Sequence, residues 1–411
     1  MAASPPAAPA PRKSMFHAMR YRNFRLFFIG QLVSVAGTWM QSVAQNWLVW
    51  RLVHNSAWLG VVTAAGAVPI LVFTLYGGKI ADNYSRRNIL IITQIVQMVL
   101  AFALALLASS WSPVPISVWD VVIISGLNGL CASFNMPAQQ SFLVELVDDR
   151  EALSNAIALN SIRFNIARAL GPLIAGIVLV KSGDAACFFF NGLSFLAVII
   201  SLIMMRLPEF KRKASGAPVL GGVKYIFKTP AMLQIMLLIF ASSVFVGPAT
   251  TLFPALAAKM HGGAEIYSML MVANGMGAAM AGLMLAALAR SFHKGVLLYG
   301  SICLGSLCMV VMGNAPYLWL LFMTVIGFGF SNVLFGIGGQ IVVQELVPDE
   351  LRGRVMSVYT IIANGRFSTG SLEVGALGQY AGPPVALLIN ACITLVIMGT
   401  VGWKFRKQQP L

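Results

Sequence analysis

The chain has 411 residues, of which 58% are hydrophobic and only 10% charged, and its mean hydropathy is +0.81. A soluble domain carries about a quarter charged residues, so this composition excludes a chain that hydrates its own surface. The net charge of +15 leaves two readings, a nucleic-acid surface or membrane topology, and the positions of the bases decide between them.

In chain order, residues 1–20 open with Ala/Pro repeats and read as a disordered cytoplasmic tail. Apolar runs long enough to cross a bilayer, about 20 residues each, then follow at 24–50, 57–78, 88–110, 117–140, 153–180, 186–206, 231–256, 266–289, 295–313, 316–344, 353–380 and 383–403. The first run lacks a short core with a small-residue cleavage site, so it reads as a span and not as a removable signal. The longest polar break runs from Leu207 to Thr229 and contains Lys211-Arg212-Lys213 with Gly216, Pro218, Gly221 and Gly222. It follows the sixth run and reads as a cytoplasmic linker (208–230) between an N-terminal half (21–207) and a C-terminal half (231–404), with 405–411 as a cytoplasmic tail. Within it, Tyr225 to Phe227 suits a short interfacial helix.

A repeat supports two halves. Gln140, Glu145, Leu146, Val147 and Asp149 recur as Gln340, Glu345, Leu346, Val347 and Asp349. That period is far too long for a solenoid, and parallel halves are one of the architectures of transporters. With the N-terminus inside, the cytoplasm receives both tails and the turns at 79–87, 145–152, 206–228, 290–294 and 345–354. These hold 22 of the 28 Lys and Arg residues; the outer turns hold only Arg51, Lys181 and Lys259. Such asymmetry is the positive-inside pattern of an even-spanning protein with both ends in the cytoplasm. The basic balance is therefore topology in a cell (inner) membrane, and no nucleic-acid partner is expected.

The second cytoplasmic turn reads Gly78-Lys79-Ile80-Ala81-Asp82-Asn83-Tyr84-Ser85-Arg86-Arg87. It resembles the signature of the major facilitator superfamily at Gly78, Asp82, Arg86 and Arg87, and departs from it at Asn83 and Ser85. Two further stretches, Glu345 to Ser357 and Asn165 to Pro172, resemble the branch that contains the enterobactin exporter and related macrolide and multidrug efflux proteins. The resemblance covers essentially the whole chain. It implies an all-α membrane protein of twelve transmembrane helices in two pseudo-symmetric six-helix halves, the major facilitator fold. It also implies proton-driven export by alternating access, while the substrate does not transfer with it. A cytoplasmic gate is implied in which Asp82 faces the start of the eleventh span near Arg354, with Arg352 beside it. Arg86 and Arg87 then pair with Glu145 or Glu345. The bland reading of these residues is ordinary positive-inside charge.

Charges inside spans are costlier, about 2.5–3.5 kcal/mol each at a helix centre on insertion scales. Arg163 and Arg168 fall near the middle of the fifth span, five residues and so about 140° apart, an arrangement that keeps them from meeting one small ligand on a single face. Arg366 and Glu373 lie at i and i+7 in the eleventh span. A carboxylate in a dry cavity can load and release a proton as access alternates. Glu373 is the first candidate for that role, and Asp120, at the outer mouth of the fourth span, is the second. Arg163, Arg168, Arg366, Gln41 and Gln45 are the candidate substrate-binding residues. The alternatives are static pairing for the charges and interhelical packing for the amides. Met269, Met271, Met276, Met280 and Met284, with Phe188 to Phe190, offer either an adaptable apolar pocket or a lipid face.

Nothing in the sequence points to an enzyme. His17, His54, His261 and His293 are not paired at ligand spacing, the five cysteines all fall within spans, and the glycine runs at 327–329 and 336–339 lack a phosphate-loop lysine. No metal, cofactor or catalytic residue is expected. The reading is a monomeric secondary transporter exchanging a small amphipathic compound, siderophore-like or drug-like, for protons across the lipid bilayer. Its rivals are an importer or facilitator of a solute or lipid, and a non-transporting membrane protein that keeps the fold.

Overall fold

The computed structural model describes residues 17–147, 150–207, 220–288 and 294–405. The tails at 1–16 and 406–411 and most of the polar linker (208–219) lie outside the described residues, so the disorder expected of the first tail is not addressed. A bilayer interior offers backbone groups no water, which leaves helices that satisfy their own hydrogen bonds, and helices fill nearly all of the described chain.

Span 1, Arg22–Val53, ends where His54 takes a left-handed conformation (φ 47°) and its N–H donates to Trp50 O. Asn55 immediately caps span 2, Ser56–Asn83, accepting from Ala57 N at 2.8 Å. Span 3 is Arg86–Ala108 and span 4 is Val118–Glu145. The helix Arg150–Met204 is two spans, 5 and 6, joined at Gly183, whose φ of 79° is open to glycine at little cost. Residues Leu220–Lys228 form the short helix expected in the linker.

Span 7, Pro230–Lys259, is interrupted: a π turn at Ser242–Val246 and a 3-10 turn at Gly247–Leu252 separate two α-helical pieces. Pro248 and Pro254 donate no backbone hydrogen bond, which favours such a break. Spans 8 to 12 are Ala264–Leu288, Lys294–Asn314, Leu318–Leu346, Asp349–Tyr380 and Pro383–Phe405. Ten described stretches are long and apolar enough to cross a membrane, one of them being spans 5 and 6 together. Span 11, with its Ser, Asn, Gly and charged residues, completes the expected twelve. Cys131, Cys187, Cys303, Cys308 and Cys392 are all unpaired thiols.

The 200-residue repeat extends to packing. In the first half a Cβ at Gly77 would collide with the Ser133 carbonyl oxygen, and one at Gly129 with that of Gly66, so spans 2 and 4 touch backbone to backbone. In the second half the collisions are Gly277 with Ile326 O and Gly329 with Asn274 O, which joins spans 8 and 10 in the same way. Small residues at such crossings let dispersion and carbonyl contacts replace the hydrophobic drive that lipid removes.

The two halves meet unevenly. At the end away from the basic turns, one core draws on both: Leu48, Leu59 and Phe188 from the first half pack with Leu252, Phe253 and Tyr267 from the second. There Ser56 Oγ donates to Gly375 O at 3.0 Å, and Trp47 stacks on Tyr267 with centroids 6.0 Å apart. At the basic end each half keeps its own core, with Phe24, Phe27 and Phe142 in one and Met232, Val343 and Val355 in the other. The bundle is sealed at one end and parted at the basic end.

Two outcomes follow from this packing. Gly129→Val and Gly277→Val should each destabilise the protein by about 1–3 kcal/mol, as overpacking does, and lower its melting temperature in detergent; unaltered melting would mean the backbones are not in contact. Tyr267→Ala removes a stack worth about 0.5–1.5 kcal/mol, so the outer ends should part roughly 2- to 12-fold more often. Spin labels at positions 113 and 316 would report that as a longer-distance population, and an unchanged distance distribution would dismiss the stack as a seal.

Candidate functional site

The parting of the halves leaves a continuous cavity of three chambers. A vestibule of about 700 Å³ lies among the basic-end segments of spans 4, 5, 7, 10 and 11. It shares Met136, Phe164, Arg168 and Asn332 with a central chamber of about 550 Å³. The central chamber shares Trp39, Thr63, Ile70 and Met271 with a side chamber of about 430 Å³ set into the first half. Gln140 and Gln340, the first residues of the sequence repeat, both line the vestibule, one from each half.

The side chamber is an amide pocket. Gln41, Gln45, Asn46, Gln97, Asn128 and Asn191 line it. Gln41 Oε1 accepts from Asn191 Nδ2 at 2.6 Å, and Gln45 Nε2 donates to Ser125 Oγ at 2.8 Å. Each carboxamide both donates and accepts, so the wall can match polar groups of either kind. The sequence marked Gln41 and Gln45; it gave no sign that spans 3, 4 and 6 would bring Gln97, Asn128 and Asn191 beside them. The π turn of span 7 adds Ser242 and Ser243 to the vestibule wall.

Both arginines of span 5 reach the cavity wall, each over a different aromatic ring. Their side chains are long enough to lie back over aromatic rings of span 1: Arg163 over Phe27 at 5.6 Å and Arg168 over Trp39 at 5.7 Å. Both line the vestibule, and Arg168 also lines the central chamber. Of the methionines, Met271 lines the central and side chambers, whereas Met269, Met276 and Met280 are exposed on the outer face of span 8.

The acids are placed elsewhere. Glu373 is half-buried and accepts from Asn390 Nδ2 of span 12 at 3.0 Å, off the wall of all three chambers. Asp120 is a helix cap: Ser117 N and Oγ both donate to its Oδ2, at 2.8 and 2.9 Å, in a capping box that starts span 4. No Asp or Glu lines the three chambers among the described residues.

Arg86 and Arg87 make contacts within the first half. Arg86 is buried, forms an ion pair with Glu145 and donates from Nε to Ala81 O at 3.3 Å. Arg87 donates to Ile203 O at 2.8 Å. All these partners belong to the first half, so the expected pairing of Arg86 with Glu145 forms, but not as a lock between halves. Asp82 has no hydrogen-bond or ion-pair partner among the described residues. Gly78 faces open space, and Glu345 is exposed at the end of span 10. The side chains of Arg352, Arg354 and Arg366 lie outside the described residues. At the sealed end the sequence missed one pair: Arg51, closing span 1, is bound to the buried Asp184 that follows Gly183.

Comparison with known proteins agrees with this architecture. The family described as transmembrane secretion effector matches residues 13–409. The staphyloferrin A transporter of Staphylococcus aureus is 26% identical over 90% of this chain and 94% of its own length. The multidrug efflux pump Tap of Mycolicibacterium fortuitum is 24% identical, covering 92% of this chain and 94% of its own. The enterobactin exporter EntS of Citrobacter koseri is also 24% identical, covering 94% of each chain. Among solved structures, an inward-facing, unoccupied bacterial homologue of the lysosomal transporter Spinster superposes with a TM-score of 0.71 at 15% identity, over 94% of this chain and 95% of that one. A D-xylose–proton symporter superposes with a TM-score of 0.70 at 14% identity, over 94% and 99%. A multi-pass bundle with a central cavity, matched along nearly its whole length, makes this chain a member of the transmembrane secretion effector family of major facilitator transporters.

Proposed function

We propose that this transporter exports a small amphipathic organic compound, siderophore-like or drug-like, by alternating access and in exchange for protons. The observation that carries the reading is the continuous cavity at the basic end, which the positive-inside pattern assigns to the cytoplasm. A compound would enter there, lay its apolar part against Trp39, Ile70, Phe164 and Met271, and offer its polar part to the amide pocket. Relatives that bear the names of an exporter and an efflux pump support the outward direction.

In this reading Glu373 carries the proton, and it does so away from the substrate. It lies two residues from Ser371 and two from Gly375, both buried where span 11 packs against span 2 at the sealed end. Charging or neutralising it would therefore bias the seal instead of contacting the cargo. One charge crossing ~100 mV supplies ~2.3 kcal/mol, enough for roughly a fifty-fold gradient. Asp120, spent on its helix cap, has no part in this scheme. The lack of a carboxylate among the described cavity-lining residues favours one rival, a facilitator without obligatory proton exchange.

Proteoliposomes with an imposed pH gradient separate the two. Glu373→Gln should abolish gradient-driven accumulation while leaving downhill flux within about two- to threefold of the parent. Coupling that survives this substitution would remove Glu373 from the scheme, and flux indifferent to the gradient in the parent itself would establish the facilitator.

A further inference from the structure

The side chamber is walled by hydrogen-bonding groups and by no charge. No Asp, Glu, Lys, Arg or His lines it among the described residues. An ionised group brought there would give up water and meet no counter-ion, which is the costly way to bury a charge. The chamber holds about 430 Å³, within the range of about 300–1,000 Å³ usual for small-ligand sites.

Part of that wall is committed and part is open. Gln41 is taken up by Asn191, and Gln45 by Ser125. Gln97 of span 3 and Asn128 of span 4 have no side-chain hydrogen-bond partner among the described residues, and their amide atoms keep accessible surface on the chamber. On spans 1 and 2 the hydroxyls of Thr38 and Thr63 donate to Ser34 O and Leu59 O of their own helices, at 3.0 and 2.8 Å. Their oxygens are left to accept.

Donors and acceptors therefore reach the chamber from four helices, in different directions. A single carbonyl or amide meets only one or two of them. A hydroxyl both donates and accepts, so several hydroxyls on one ring can match such a wall on all sides.

We propose that the side chamber is a subsite for an uncharged, polyhydroxylated group of the cargo, with Gln97 and Asn128 as its open contacts. The apolar body of the same molecule lies in the central chamber, through the opening at Trp39, Ile70 and Met271 that the two chambers share. The proposal rests on the transport reading and narrows its substrate class to amphiphiles with a neutral polyol head.

Three probes with one naphthyl body test it on the full chain in lipid nanodiscs, which are free of sugar detergents: 2-naphthyl glucoside, 2-naphthyl glucuronide, and the tetra-O-methyl ether of the glucoside. The second adds one carboxylate, and the third keeps its oxygens but loses every O–H. A ligand that binds the folded state raises its melting temperature with concentration. The glucoside should do so. The other two should bind at least tenfold more weakly, the glucuronide for its charge and the ether because it leaves hydrogen-bonding partners unmatched. Gln97→Met and Asn128→Leu should each weaken the apparent affinity for the glucoside at least tenfold. Gln97→Lys supplies the missing counter-charge and should turn the preference toward the glucuronide. If one variant does not fold, the others and the three-probe comparison in the parent carry the test. Equal or tighter binding of the glucuronide or the ether by the parent, no stabilisation by the glucoside, or unchanged affinity in the variants would each overturn the proposal. Flux in proteoliposomes keeps the two readings apart. Transport of all three probes that is indifferent to Gln97 and Asn128 would preserve the transporter and refute the subsite. Glucoside binding that depends on these two residues, without flux of any probe, would do the reverse.

Discussion

Two six-helix halves that share a core at one end only can move chiefly by rocking about that end. The shared core is the largest apolar cluster of the molecule and includes close contacts: backbone against backbone where span 2 meets span 11, and ring against ring where Trp47 meets Tyr267. In a solvent as apolar as the side chains themselves, such contacts and the interhelical hydrogen bonds from Ser56 supply the association energy. The cavity between the halves depends on their sharing a core at the end away from the basic turns.

That dependence orders the polar chemistry. Hydrogen-bonding groups within the membrane must be answered by protein, by water or by cargo. The first half answers most of its own, as Gln41 with Asn191 and Gln45 with Ser125 show. The charged residues divide by location. Arg86 and Arg51 are matched by Glu145 and Asp184 near the two ends of the bundle, whereas the span 5 arginines, deep in the bundle, lean on aromatic faces. A ring face stabilises a guanidinium without neutralising it.

Much of the fold was legible in the sequence because its signals are one-dimensional. Apolar length gives spans, and the Gln140/Gln340 repeat gives the halves. The site was less legible because facing is a three-dimensional property. Helical angles set Arg163 and Arg168 on different faces, but they do not say that each side chain folds back over a ring of span 1. Glu373 was marked by its depth, but depth does not say whether a residue faces the cavity or the neighbouring span 12. Asp120 carried a local signal, Ser117 three residues before it, that identifies a capping box. The amide pocket needed the spatial meeting of spans 1, 3, 4 and 6, which no spacing along the chain records.

The broken helix of span 7 bears on how the rocking can occur. Its π and 3-10 turns occupy Ser242–Leu252, and the Val244 carbonyl presses on Gly370 of span 11. A straight helix would transmit any tilt from one membrane face to the other as a lever does. An articulated one has a joint at mid-depth, where backbone carbonyls already lack ideal helical partners and can exchange them at low cost. The piece before the joint (230–241) belongs to the parted core of the second half, and the piece after it (253–259) belongs to the shared core. Span 7 thus works as two segments with separate loyalties, and closing the mouth need not wait for the seal to loosen.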